Sequence, residues 1–242
     1  MKKYQIGNYH LKQFQTPYFS TMTFDSFLTR NNCFIPNTEV MDIGAGAGAN
    51  IFYFAKKHKR IKFTGFDYNK KLVDTGKSVL KKNNLPNVSL EYGDWFKLPK
   101  SLRNRFAGII NIHTLCVFKE LTPALHALIE LNPAWMAFNS LFYEGPLDVI
   151  IHIREYKPNS YSDNNPDGDF NIFSLPFLKR YMNKHGYSKF MYKKFYIPVD
   201  LPKPKDGSRG TYTVKTDFEK RSLFSGPVYL PWYFVLASKE SK

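Results

Sequence analysis

The sequence predicts an α/β fold, a mostly parallel sheet with helices on its faces, and three observations lead there. Residues 39–55 read as a strand, a glycine turn and a helix in direct succession. Further apolar runs at 61–66, 88–92 and 106–112 alternate with segments of helical period or with turns. Each of these runs ends against an ionisable residue or a short polar motif, as expected where ligands bind beyond the carboxyl ends of parallel strands.

The first unit is EVMDIGAGAGAN, residues 39–50. A strand signal reaches Asp42, and Gly44, Gly46 and Gly48 follow at alternate positions. Glycine admits positive φ and a close approach of backbone to ligand, so this turn suits a nucleotide-like cofactor. Ile51–Ala55 then begins a helix. The second strand, Ile61–Phe66, ends in Asp67, nineteen residues beyond Gly48. An acidic side chain at that tip can accept both ribose hydroxyls of an adenosine, and Tyr68 beside it can cover a base. In the next helix Leu72, Val73, Gly76, Val79 and Leu80 share a face, while Lys71, Lys77, Lys81 and Lys82 fall largely outside it. The third strand, Val88–Tyr92, runs into Gly93, Asp94 and Trp95, where Asp94 can accept from an adenine amino group and Trp95 can pack over the ring. Phe96–Arg105 contains a turn and at most a brief helix. The fourth run, Phe106–Ile112, leads to His113.

On these residues the segment resembles the class I S-adenosylmethionine-dependent methyltransferases. VMDIGAGAG is similar to their first motif, Asp67 to their ribose-binding acidic residue, and GDW at 93–95 to their adenine-contact motif. The resemblance implies a Rossmann-like seven-stranded sheet with an antiparallel terminal hairpin and a small substrate-side insertion. It implies S-adenosyl-L-methionine as cofactor and S-adenosyl-L-homocysteine (SAH) as product. The cofactor contacts it implies are Asp42, Gly44, Ala45, Gly46, Gly48, Asp67, Tyr68, Asp94, Trp95 and Ile112. Phe106, Ala107 and Gly108 depart from the family, which often has an acidic residue entering the fourth strand. Ala49, Asn50 and Ile51 after Gly48 leave G-x-G-x-x-G incomplete, which argues against a nicotinamide dehydrogenase.

A chain of 242 residues with 43% hydrophobic content supports one sizeable α/β domain with a small insertion. The formal net charge is +15. Residues 1–121 carry 19 Lys or Arg against 8 Asp or Glu, and residues 122–242 carry 16 against 12, so the excess is +11 on the first half and +4 on the second. Many of these lysines fall on polar helix faces, and there is no RNP-like strand, zinc-finger spacing or long basic tail, so a solvated basic surface is preferred to a nucleic-acid groove. Cys33 and Cys116 are read as buried thiols. MKKYQIGNYH lacks the apolar stretch of a signal peptide, and no run approaches a transmembrane span, so a cytoplasmic location is expected. Oligomeric state is not legible.

Residues 1–38 are assigned as an N-terminal helical lid segment and 39–242 as the methyltransferase domain. Residues 1–16 have no secure periodicity; Thr16-Pro17 reads as a helix start, and Tyr9, Tyr18 and Arg30 are lid candidates. After His113 a turn or short helix is expected, then a helix capped by Thr122 with Pro123 first, then a strand over Trp135–Phe142. Residues 144–173 are assigned as an insertion over the substrate side, with a strand at Val149–Ile153, a turn-rich loop at 157–169 and a return strand at Phe170–Phe173. Ser174 caps a helix carrying Phe177, Leu178, Tyr181, Met182 and His185 on one face, stopped by Gly186. A sixth strand is read at 189–199, an arm at Gly210–Lys215 and a last strand at Val228–Ser238.

The catalytic candidates are His113, Glu144 and His152. His113 lies just past the fourth strand, and an ordinary histidine pKa suits a base or an acceptor-orienting group near neutrality, a contact to the cofactor or a structural role being the alternatives. Glu144 follows the fifth strand. His152 shares a strand face with Asp148 and with it can line an acceptor pocket. His10, His58 and His126 have no convincing partner, and no metal is assigned. Asn111-Ile112-His113-Thr114 does not match the tetrad used on nucleic-acid amino groups. The activity the resemblance implies is transfer of a methyl group to a hydroxyl or amine of a small polar acceptor; the chain as a whole is also similar to methyltransferases of surface-polysaccharide biosynthesis, which implies a sugar, sugar nucleotide or carbohydrate substituent as one such acceptor. The alternatives are an RNA or protein methyltransferase, or a catalytically inactive cofactor-binding protein.

Overall fold

The structure, a computed structural model, describes residues 8–154, 156, 167–205 and 210–240, apart from the side chains of 8–10 and 167. Two helices lead the chain, α1 (Asn8–Gln15) and α2 (Phe19–Arg30). Strands and helices then alternate: β1 (Glu39–Ile43), α3 (Ala49–Lys57), β2 (Lys62–Asp67), α4 (Lys70–Asn83), β3 (Val88–Tyr92), β4 (Gly108–Ile112), α5 (Leu121–Ile129) and β5 (Trp135–Tyr143). The chain continues through β6 (His152–Arg154), β7 (Asp167–Asp169), β8 (Phe173–Ser174), α6 (Leu175–Lys184) and β9 (Lys189–Lys194). It ends with β10 (Thr211–Val214), β11 (Ser222–Ser225), β12 (Val228–Tyr229) and β13 (Trp232–Ser238).

The central sheet has the order β3-β2-β1-β4-β5-β13-β9, with β8 added beside β5. The first five strands are parallel, and β13 is antiparallel to both β5 and β9. This is the Rossmann-like sheet with an antiparallel terminal hairpin that the resemblance implies. Alternation along each strand feeds two cores. Val40, Phe63, Ile110 and Phe234 pack under α2, α3 and α4, while Met41, Ile109, Phe138 and Val235 pack under α5 and α6.

The caps fix where the helices enter. The Asn69 side chain accepts from the Leu72 N–H at 3.2 Å to start α4, and Ser174 Oγ accepts from Phe177 N–H at 3.2 Å to start α6. Four boundaries differ from the sequence reading. α1 forms where no periodicity was legible, packing Phe14 on Phe52 of α3 with ring centroids 5.3 Å apart. α5 begins at Leu121 with Glu120 as its cap, placing Thr122 and Pro123 inside the first turn. The run 228–238 is broken between β12 and β13 at Leu230-Pro231, since proline has no N–H to give a ladder. The strand read at 189–199 stops at Lys194, and β11 joins β10 and β12 in a separate antiparallel sheet.

Within 144–173, β6 and β7 pair antiparallel and Val149 bridges Ile172; the loop at 157–166 lies outside the described residues. Asn171 fastens this ribbon to the turn after β4. Its side chain donates to Phe118 O at 2.8 Å and accepts from Ile151 N–H at 2.9 Å, and its backbone N–H donates to Cys116 O at 2.7 Å.

Candidate active site at the carboxyl ends of the strands

The glycine loop closes on the neighbouring strand. Gly44, Gly46 and Gly48 take φ of 75°, 58° and 84°, the left-handed region that a side chain resists. Gly44 also has no room for one, because a Cβ there would stand 2.6 Å from Thr114 Oγ1. The N–H groups of Gly44 and Ala45 both donate to Phe66 O, at 2.8 and 3.0 Å. The N–H of Gly46 donates to Asp67 Oδ2 at 2.7 Å, and Asn69 N–H donates to Oδ1 at 2.8 Å. Asp67 therefore spans the tips of β1 and β2, and each of its oxygens keeps a lone pair for a further donor.

Asp42 lies beneath this loop, 1% exposed, and neither carboxyl oxygen has a hydrogen-bond partner. Burial, reinforced by the negative charge of Asp67, pushes its pKa well above the usual carboxylate range. A buried carboxyl without a partner is costly, and a ligand bearing N–H donors relieves that cost.

Gly93 N–H donates to Asp67 O at 3.0 Å, which carries the line of tips to β3. Asp94 Oδ1 accepts from Phe96 N–H at 3.0 Å while the side chain stays accessible. Trp95 departs from its expected position: its ring is buried, its Nε1–H donates to Ala124 O at 2.9 Å, and it packs edge-on to Phe118 with centroids 4.8 Å apart. It forms a floor under this corner, and the exposed ring beside it is Phe96. Tyr68 is 73% exposed, and Ile112 is buried at the end of β4.

His113 follows Ile112 with φ of 63°, a strained setting for a non-glycine residue. Its N–H donates to Asn139 O at 2.9 Å, and its Nε2 lies 3.2 Å from Asn139 Nδ2 and 3.4 Å from Ser20 Oγ of α2. Asn139 and Ser20 together hold the Nε2 edge of the ring. Trp232 and Tyr18 flank the ring at centroid distances of 4.3 and 6.4 Å. The imidazole keeps some accessible surface but is crowded on every side, and burial pushes its pKa down to about 4. This corrects the expectation of a base poised near neutrality. At pH 7 the ring is neutral, a hydrogen-bonding group more than a proton acceptor.

The unfolded chain takes up a proton at this ring near the ordinary value of 6.5, whereas the folded chain does so near 4. Stability is therefore full above that upper value and falls as pH drops through the window, by about 3 kcal/mol. Acid unfolding of His113→Gln should show a midpoint at lower pH than the parent; an unmoved midpoint would remove His113 from the acid response.

Neither of the other two catalytic candidates hydrogen-bonds to His113. Glu144 is exposed and lies beside Tyr233, whose hydroxyl is pushed up to about 12 by burial and then by Glu144. Tyr233 belongs to the core under α5 and α6, on the opposite sheet face from Trp232 and His113. His152 sits on the β6–β7 ribbon, half exposed, with Nδ1 3.0 Å from Asp169 Oδ1 directly across the pair. Asp148, its expected companion, instead accepts from Ser174 N–H at 2.7 Å. Among the lid candidates Tyr18 reaches His113, Arg30 lies in a separate groove with Lys193, and the side chain of Tyr9 is outside the described residues. His58 does have a partner: Nε2 lies 2.5 Å from Oδ1 of fully buried Asp25, and Lys57 pairs with the other oxygen. Burial raises the Asp25 pKa, but the hydrogen bonds from His58 and Lys57 outweigh it and hold the carboxyl below its usual range.

Sequence reasoning missed Ser20, Asn139 and Trp232. None stands in a motif, and only the pairing of β5 with β4 and β13, with α2 laid across, gathers them. Asn111 was considered only as part of a tetrad; it donates to Ile43 O at 2.6 Å and accepts from Leu115 N–H at 2.9 Å, tying the turn that presents His113 to β1.

Strand order, glycine loop and acidic residues at successive tips define the class I S-adenosylmethionine-dependent methyltransferase fold. Residues 35–146 match the family model described as a methyltransferase domain. The N-terminal domain of EvdMO1, crystallised with SAH bound, has a TM-score of 0.60 at 13% identity over 91% of this chain and 81% of its own. Magnesium protoporphyrin IX methyltransferase (ChlM) from Synechocystis PCC 6803, with bound SAH, has a TM-score of 0.53 at 12% identity over 91% and 83%. The cyclase SpnF has a TM-score of 0.52 at 15% identity over 72% of this chain and 59% of its own. No curated protein matches the sequence.

Proposed function

We propose that the protein is an S-adenosylmethionine-dependent methyltransferase acting on a hydroxyl or amine of a small polar acceptor. The observation that carries this is the buried, unpartnered Asp42 carboxyl beneath a glycine loop fastened by Asp67. Asp42 would meet the amino group of the cofactor, Asp67 the ribose hydroxyls through its remaining lone pairs, and Asp94 the adenine amino group, with Gly44, Ala45, Gly46, Gly48, Tyr68 and Ile112 shaping the bed. The bound cofactor supplies a methyl group on a positively charged sulfur, and positioning accounts for much of the rate. His113, neutral and fixed by Asn139 and Ser20, orients the acceptor's hydroxyl or amine by hydrogen bonding. Glu144 and His152 are given no catalytic role in this reading, because neither hydrogen-bonds to His113.

A carbohydrate acceptor is supported by the half-buried ring of Tyr18 beside His113, since sugars present both hydroxyls and an apolar face. The EvdMO1 domain has also been crystallised in the presence of SAH and D-fucose. The likeness to a cyclase keeps a second reading in view, a cofactor-binding protein of this fold with other chemistry.

Calorimetric titration with SAH tests the cofactor site, and labelled methyl donor offered with small glycans, sugar nucleotides and RNA, followed by product mass, tests the acceptor class. His113→Ala should lower turnover about 100-fold while SAH affinity changes little. Equal losses in both would make His113 a cofactor contact instead. Folded protein that ignores SAH at high concentration removes the whole reading.

A further inference from the structure

The small sheet β10–β11–β12 carries a turn that the methyl-transfer reading does not use. Thr216 and Glu219 close it: Thr216 N–H donates to Glu219 O at 2.9 Å, and Glu219 N–H donates to Thr216 Oγ1 at 3.1 Å. The Glu219 carboxylate is consumed on the inner side by Lys194, by Ser222 Oγ at 3.0 Å and by Tyr229 OH at 3.3 Å. The turn is therefore tied down, and it holds Phe218 outward at 96% exposure, the highest of any large hydrophobic among the described residues.

A single exposed ring is ordinary on a protein surface; its surroundings here are not neutral. Lys215 and Lys220 flank the turn, and with Lys203 and Arg221 they line a groove of about 780 Å³. Asp217 and Asp200 are the acidic residues nearby, and Asp200 is engaged by Arg221 at 2.7 Å. The turn thus offers an exposed aromatic ring between Lys215 and Lys220, beside a groove rich in cations. That pattern complements an anionic bilayer, where lysines meet headgroup phosphates and the ring enters the acyl boundary.

We propose that the 215–221 turn docks the protein on an anionic membrane surface. The same segment runs through Leu230 and Pro231 into Trp232, whose ring centroid stands 4.3 Å from that of His113, so the docking turn and the candidate active site are joined by one short stretch of chain.

Vesicle flotation tests this with the full chain. Partition onto mixed phosphatidylglycerol–phosphatidylcholine vesicles, absent on phosphatidylcholine alone, is the expected result. Phe218→Ser should lower that partition about tenfold, and the double change Lys215→Glu with Lys220→Glu should bring it to background. Thermal melts matching the parent show that the variants fold. Tryptophan emission from Phe218→Trp, corrected by the parent's signal, should shift to the blue on anionic vesicles, and this readout stands even if another variant misfolds. No partition, equal partition onto both vesicle types, an unshifted emission, or full binding by folded Phe218→Ser each overturns the proposal. So does capture by RNA without capture by vesicles.

Discussion

Replacing Gly76 by alanine should lower the melting temperature by roughly 6–12 °C, from a loss of about 3 kcal/mol. The sequence places Gly76 on the apolar face of α4, where a glycine in a helix usually costs stability. The structure explains its presence: a Cβ there would lie 2.0 Å from the carbonyl oxygen of Ala47 and 2.6 Å from Leu90 Cδ2. Ala47 sits between Gly46 and Gly48, so the helix rests directly on the glycine loop. A methyl group must push α4 away or deform the loop, and SAH affinity should fall with stability. Gly186→Ala is the control. That glycine has φ of 87° with nothing within 4 Å of a Cβ, so only backbone strain is expected, about 1 kcal/mol. Equal melting shifts for the two variants would mean that the α4–loop contact is loose.

Asp67→Ala should weaken SAH binding about 100-fold and destabilise the free protein by about 2–3 kcal/mol. Both effects have one origin. The side chain holds Gly46 N–H and Asn69 N–H, so its removal strands two backbone donors at a site only 7% exposed and takes away the oxygens proposed for the ribose. Asp67→Asn retains one acceptor oxygen and should fall between alanine and the parent in both respects. Titration calorimetry and unfolding of the ligand-free protein separate the contributions. Unchanged SAH affinity with reduced stability would leave Asp67 a purely structural clamp. A second signature is expected at Asp42, whose protonation the neighbouring negative charge favours. Removing Asp67 should let Asp42 ionise at lower pH, an effect visible in carboxyl titration by NMR.

Where the signal is local, the sequence was sufficient. The strand, glycine turn and helix at 39–55, the acidic residues at 67 and 94 and the period-2 and period-3.6 runs around them determined a doubly wound sheet and its ligand-facing edge, because backbone conformation and burial periodicity are set within a few residues. The sequence also marked His113 by its position after a strand. Only the tertiary structure decided what surrounds it. Asn139 comes from the pairing of β5 with β4, Trp232 from the last strand folding back antiparallel, and Ser20 from a helix 93 residues earlier in the chain. Burial among those neighbours presses the pKa to about 4, and the same folding places Glu144 beside Tyr233 and His152 opposite Asp169 on the ribbon. Desolvation and hydrogen bonding depend on neighbours distant in the chain, so a residue's place in a motif gives its address and the fold gives its chemistry.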